Sequence, residues 1–305
     1  MVMEPLVNHN RAASASSPTL HHALPVEVIR TLTSSLCIVL ELATVSDKAA
    51  GAKLCRLCST VRLWLLPVLY DTVILSSAKT IERFAYGQME NPDSAVVYPP
   101  PASVVRKLWI GPTSSTVQND LAYSSSAWPI TYVHQILVRC ASLHALAIVN
   151  LYQGDWFRLA HVLPAGLRAL TLGPVHGKVD WRYLPCSASL REFTSMDTYM
   201  MDLELQQIVA APHIRTVRRV YSRVDHINLA FDQLECVEKA TSLERLEIVC
   251  CAESVERAAS VLERIARCYK PNPERIALVP KSHLCGSTFD PIAVLFNDWK
   301  SSWRT

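Results

Sequence analysis

The stretch Ser142-Leu143-His144-Ala145-Leu146-Ala147-Ile148-Val149 is answered 24 residues later by Gly166-Leu167-Arg168-Ala169-Leu170-Thr171-Leu172-Gly173. Both carry an L-x-x-L-x-L pattern, on Leu143, Leu146 and Ile148 and then on Leu167, Leu170 and Leu172. Leu190 with Phe193 and Ile214 with Val217 continue the series at spacings of 23 and 24 residues. A looser unit precedes it (Val105, Leu108, Ile110), and two follow it (Leu243, Leu246, Ile248; Ile276, Leu278). Alternating apolar residues make a strand with one buried face. A constant spacing of about 20–30 residues makes each strand part of a unit that buries that face only against its neighbours. The expected architecture is therefore α/β: a curved parallel sheet of seven or eight strands over residues 68–305, with helices on its convex side.

Composition is consistent with such a core. Half of the 305 residues are hydrophobic and 19% are charged, which excludes wholesale disorder. A net charge of +3 is too small to point to nucleic acid or a membrane surface. Arg62, Pro67 and Asp71 interrupt the most apolar stretch, so no membrane span is expected. Residues 1–22 contain Ala-Ser-Ala-Ser-Ser-Pro rather than a secretory signal and suggest a flexible tail. Ten scattered cysteines in that context imply reduced thiols, and a cytoplasmic or nuclear chain.

Helical signals surround the strands. Over 23–67, Leu24, Val28, Ile29 and Leu32 lie at helical spacing around Pro25. Ser46 or Asp47 can cap a second helix whose stripe is Ala50, Leu54, Leu57, Val61 and Leu65, with Pro67 ending it. Val68–Leu75 has the β-branched character of the first strand. Further helices are expected over Ile130–Cys140, Asp155–Leu163, Asp202–Ala211, Asn228–Ala240, Ser254–Tyr269 and Asp290–Lys300. On the fifth, Glu263 and Arg267 have the spacing of a surface pair. Tyr98–Ser103 and Gly111–Ala127 have the composition of exposed loops.

Leu24-Pro25-Val26-Glu27-Val28-Ile29, then Leu54, Leu57-Cys58-Ser59-Thr60-Val61, Trp64 and Leu65-Leu66-Pro67 leading to Tyr70, resemble the F-box, in its divergent fungal (basidiomycete-type) form. The order of an F-box-like unit followed by leucine-rich-repeat-like units is itself an architecture of that family. The resemblance implies that Leu24, Pro25, Val28, Ile29, Leu32, Leu54 and Val61 dock onto the Skp-type adaptor of a cullin–RING ubiquitin ligase, with the repeats holding a protein substrate. The sequence departs from the family in places. Thr33–Ser46 fits its helix–loop spacing loosely. The Asn or Cys expected after each repeat strand is replaced at Leu151, Val175, Thr198 and Ser222, and only Cys251 conforms. Ser195 and Arg219 fall in slots where a buried apolar residue is expected, so the solenoid should be irregular.

Nothing in the chain has the pattern of an active site, cofactor site or metal site. Cys55-x-x-Cys58 lacks a second ligand pair and is better explained as two small buried thiols. Gly173-Pro174-Val175-His176-Gly177-Lys178 is one residue short of a phosphate loop and has the character of a turn. His144, His161 and His176 are expected on the rim, without catalytic use, and Trp128, Trp156 and Trp181 in helix–sheet packing. A doubly wound enzyme would need a glycine-rich turn after a strand, and eight glycines supply none.

The residues flanking each middle apolar position should line the open face: Lys107/Trp109, Ala145/Ala147, Ala169/Thr171, Glu192/Thr194, Thr216/Arg218, Arg245/Glu247 and Arg275/Ala277. Trp109 and a ladder of Arg218, Arg245 and Arg275, modulated by Glu247, are the candidate substrate contacts, suited to an acidic or phosphorylated segment. The competing expectation is a scaffold unconnected to ubiquitin, its N-terminal helices covering the apolar end of the stack.

Overall fold

In the computed structural model, residues 26–87, 100–117, 119–123, 125–238, 240–282, 284–285 and 288–302 are described. Eight strands make one parallel sheet in chain order. They are β1 (Thr72–Leu75), β2 (Lys107–Ile110), β3 (Ala145–Val149), β4 (Ala169–Gly173), β5 (Glu192–Met196), β6 (Thr216–Tyr221), β7 (Arg245–Cys251) and β8 (Ile276–Lys281). The repeats pair as their spacing aligns them. Leu108, Leu146, Leu170, Phe193, Val217, Leu246 and Ile276 share one row. A slip of one residue would turn every Leu of a strand to the opposite face, so the apolar pattern holds the register.

That face is covered by the connections between strands. They include α4 (Ala78–Gly87), α5 (Pro101–Val104), α6 (Ile130–Arg139), α7 (Gln153–Ala160), α8 (Asp202–Val209), the short α9 (Asn228–Phe231) and α10 (Leu234–Glu238), and α11 (Val255–Tyr269). Their apolar residues join Leu108, Ile110, Leu146, Ile148, Leu170, Leu172 and Phe193 in one core, with Trp128, Trp156 and Trp181 buried in it as expected. Ser254 caps α11 by accepting from the Arg257 amide at 3.1 Å.

Ahead of the sheet lie α1 (Val26–Ser46), α2 (Lys48–Leu54) and α3 (Ser59–Tyr70). Asp47 caps α2 through the Ala49 amide, 2.8 Å away. Helices α1 and α2 approach closely because position 51 is glycine: a Cβ there would lie 2.4 Å from Thr44 Cγ2. Val61, Leu65 and Leu66 of α3 are buried, and the helix contacts α5, so α3 covers the first unit of the sheet. After β8 come a hairpin of β9 (Leu284–Cys285) and β10 (Thr288–Phe289), and then α12 (Pro291–Ser301).

Several local expectations are corrected. The stripe from Ala50 to Leu65 is split between α2 and α3, which leaves Leu57 at 68% exposure in the break. Pro67 does not end α3. A proline at the ninth position of a twelve-residue helix distorts the last turns without stopping them, and β1 therefore starts only at Thr72. Cys55 is half-buried and Cys58 exposed at the start of α3, so they are not a buried pair. The expected helix over 228–240 is two short ones. Leu121 and Ala102 are buried within segments expected to be exposed loops. Glu263 and Arg267 are exposed and do not pair, whereas Arg257 pairs with Glu253 at 2.9 Å. Residues 1–22 lie outside the described residues. Among the described residues, no helix is long and apolar enough to cross a membrane.

Candidate docking surfaces

Helix α1 packs against α2 and α3 through the side that carries buried Thr44 and half-buried Cys37 and Leu40. Thr44 can sit there because its hydroxyl donates to the Leu40 carbonyl at 2.8 Å. Away from that contact, two apolar stripes face outward at helical spacing. Leu32, Leu36 and Val39 form one, and Ile38, Leu42 and Val45 the other, each side chain 51–69% exposed. Six large apolar groups in two adjacent rows form a patch that an isolated soluble surface rarely carries. Of the docking residues expected from the sequence, Leu24 and Pro25 lie outside the described residues, and Val28 and Ile29 fall on α1. Leu32 is exposed, Leu54 half-buried, and Val61 buried inside the helical unit, where no partner can reach it. Leu36, Ile38, Val39, Leu42 and Val45 are not among the residues expected from the sequence. Their 3–4-residue spacing could have found them if Thr33–Ser46 had been taken as a continuation of the first helix.

The second surface is the sheet face away from the connecting helices. Its residues align as the sequence predicts: Trp109, Ala147, Thr171, Thr194, Arg218, Glu247 and Ala277 are neighbours along one row. The face is nevertheless not free. Helix α12 lies on it, with Ile292, Val294, Leu295 and Trp299 buried against Trp109, Ala147, Val149, Met196, Val220, Val249 and Cys251. Trp109 is fully buried, edge-on to Phe296 and Trp299 at centroid distances of 4.9 and 5.4 Å. Such aromatic pairs add about 0.5–1.5 kcal/mol each beyond their buried area. Asp290 anchors the start of the helix: one carboxylate oxygen accepts from the amides of Ala293 and Ser115 and the hydroxyl of Ser115, and the other from the hydroxyl of Ser114. Burial works against this carboxylate's charge, but the four donors outweigh it and hold its pKa below the ordinary value.

This arrangement overturns the expected basic ladder. Arg218 is tied to Asp298 of α12 at 2.6 Å and lies 3.4 Å from Glu247, while Arg245 pairs with Glu247 at 3.0 Å. Arg275 stands just before β8 and donates to the carbonyls of Ala240 and Leu243, so it does not join the row. Lys281 brings a second cation to Asp298 at 3.1 Å. Trp109 packs under the helix and is not a surface contact. The sequence could not disclose this, because apolar residues along α12 show that it is buried but not which layer it covers.

One depression remains open on this face. A pocket of about 290 Å³ lies between the end of α12 and β4–β7. Ala169, Thr171, Thr194 and Thr216 supply its low floor, and Leu295, Asp298, Trp299 and Ser302 its wall, with Glu192, Arg218 and Glu247 around it. Glu192 is exposed as a residue and has no ion-pair partner among the described residues, but its carboxyl is partly desolvated at the pocket, which pushes its pKa up, with the Glu247 charge second and Arg218 opposing. The indole N–H of Trp299 is buried and has no hydrogen-bond partner among the described residues.

The helix side of β5 and β6 contains a polar island. Ser195 and Arg219 are there, 2% and 1% exposed, in the slots that the repeat assigns to apolar residues. His176 is buried beside them, not on a rim. A carbonyl can only accept, so the His176 Nδ1 that lies 2.7 Å from the Gly177 oxygen carries the proton, and Nε2 accepts from the Ser195 hydroxyl at 2.8 Å. Burial, with some help from Arg219, pushes this imidazole down to about 4. Arg219 donates to Gln233 Oε1 at 2.6 Å, and the Gln233 amide donates to the Met200 carbonyl and to Asp202, both at 2.7 Å. A neutral histidine and a serine resemble a nucleophile pair in composition, but the serine is only 2% exposed. Asp197 ties the next turn by accepting from the amide and hydroxyl of Ser222. It fills the role of the expected turn Asn one position earlier than the repeat spacing placed it; Asn150 stands at the equivalent position of its unit, and both have positive φ.

Among the described residues, no cluster of His, Cys, Asp and Glu could hold a metal ion. No protein-family model matches the chain, and no curated protein matches its sequence.

Proposed function

We propose that this chain is an interaction protein that recruits a substrate to a Skp–cullin–F-box type ubiquitin ligase. In this reading the helical unit docks onto the Skp-type adaptor, and the sheet stack serves as an irregular leucine-rich-repeat-like solenoid that holds the partner. The chain itself performs no chemistry; it raises the local concentration of substrate near the ligase. One observation carries the reading: six large apolar side chains stand exposed along α1, in a unit placed ahead of an ordered stack of repeats. Burying such a patch against a partner is worth about 25 cal/mol per Å² before the costs of association.

Calorimetric titration of the full chain with a Skp-type adaptor tests it. The wild type should bind, and Leu36→Asp combined with Leu42→Asp should lose the interaction while the circular dichroism spectrum stays the same, because an unpaired charge in an apolar interface is costly. If the wild type does not bind, the scaffold reading takes over. It draws on α3, which contacts α5 at the first unit of the sheet without any partner.

A further inference from the structure

The sequence leads one to expect an acidic or phosphorylated segment on the sheet face, and the side chains around the pocket beside α12 argue for the opposite. Three carboxylates line that pocket (Glu192, Glu247 and Asp298) against a single lining cation, Arg218. Arg218 is already engaged by Asp298 at 2.6 Å and by Glu247 at 3.4 Å. The second cations on those two carboxylates, Arg245 and Lys281, are more exposed, with 54% and 37% of their side chains accessible. Glu247 and Asp298 are thus each held by two cations, and the lining carboxylate left without an ion pair among the described residues is Glu192, which an entering anion would face.

The remaining geometry favours a cation as well. Helix α12 is eleven residues long and directs its C-terminal end at the pocket through Trp299 and Ser302. A helix C-terminus carries about half a negative charge, which attracts cations. The hydroxyls of Thr171, Thr194 and Thr216 rise from a floor of short side chains on adjacent strands, and none of the three makes a hydrogen bond among the described residues. They can accept from N–H donors. Trp299 packs its indole ring along the wall of the pocket, with its N–H buried, so the ring reports on what enters. At about 290 Å³ the pocket lies at the lower end of the range for small-molecule sites, enough for one long side chain.

We infer that the pocket between the end of α12 and β4–β7 captures a lysine or arginine side chain of a partner polypeptide, with Glu192 as its counter-ion and the three threonine hydroxyls as its hydrogen-bond floor. The biological meaning rests on the reading of the chain as a partner-presenting protein, and it names the chemistry of that partner: a basic segment. The preference for charge is what the site must show. Arginine and citrulline fill nearly the same space, but citrulline is neutral and carries a carbonyl where arginine has an N–H donor group, so it cannot make the charge-assisted pair.

The test uses the full chain and Nα-acetyl-arginine methylamide, Nα-acetyl-lysine methylamide and Nα-acetyl-citrulline methylamide as probes, followed through the tryptophan indole N–H resonances. The cationic probes should shift the Trp299 resonance and the citrulline probe should bind at least tenfold more weakly. Glu192→Gln should weaken the cationic probes at least tenfold and Glu192→Asp much less, and Glu263→Gln on the outer helix α11 should leave them unchanged. Glu192 is exposed at the start of β5, so these variants retain the fold, which an unchanged spectrum verifies. No shift with the cationic probes, equal binding of citrulline, or indifference to Glu192→Gln would each overturn the proposal. Adaptor binding through α1 is measured separately on the same variants, so failure of the ubiquitin-ligase reading leaves this result intact, and the reverse holds too.

Discussion

Lowering the pH from 7.5 to 5 should remove a contribution to stability that comes from His176. Its imidazole is neutral in the structure, proton on Nδ1, and accepts from Ser195 through Nε2. Protonation would put a charge into a site that is 6% exposed and would turn Nε2 into a donor, breaking the Ser195 bond. Folding lowers the pKa from 6.5 to about 4. The unfolded chain therefore holds more protons than the folded one throughout that window, and stability must rise with pH across it. Integrated from pH 7.5 to 5, this amounts to about 2 kcal/mol, and to about 3 kcal/mol by pH 4. Other groups titrate over the same range, so the diagnostic quantity is a difference. Urea denaturation of the wild type and of His176→Gln, at half-unit steps from pH 7.5 to 5, isolates it. Glutamine can still accept from Ser195 but does not titrate, so the variant should lack this part of the slope. Parallel stability curves for the two proteins would refute the argument, because they would mean that His176 is hydrated or charged in the native state.

The clasp formed by α12 should be strong, since Trp299 is buried against Trp109. Trp299→Ala is expected to cost about 3–5 kcal/mol in urea unfolding and to make the C-terminal segment the first site of limited proteolysis. Asp290→Asn keeps the volume but removes the charge that accepts from Ser114, Ser115 and Ala293, at a cost of about 1–3 kcal/mol. Because the folded pKa of Asp290 lies below 3.8, its contribution is complete above that value and is lost as the pH falls through the lower folded pKa. Unfolding titrations from pH 6 to 2 should show this loss in the wild type and not in the asparagine variant.

Much of this molecule was legible in one dimension because strands repeat in one dimension. The alignment of Leu146, Leu170, Phe193 and Val217 at nearly equal spacing determined the parallel order, the register, and the assignment of Ala147, Thr171, Thr194 and Arg218 to one row. Short-range physics also placed the caps at Ser254 and Asp290. Only the tertiary structure decided what lies on each face. Whether α12 joins the outer layer or crosses to Trp109 depends on contacts between segments some 190 residues apart, 109 and 299, and no local periodicity encodes them. The same holds for the polar island: Ser195 and Arg219 break the apolar pattern in the sequence, but their partners, His176 and Gln233, come from neighbouring turns that only the stacking of units brings within hydrogen-bond reach. Patterns along the chain record which face a residue takes, whereas a long-range packing choice depends on which partner surface is left uncovered, and that is a property of the assembled fold.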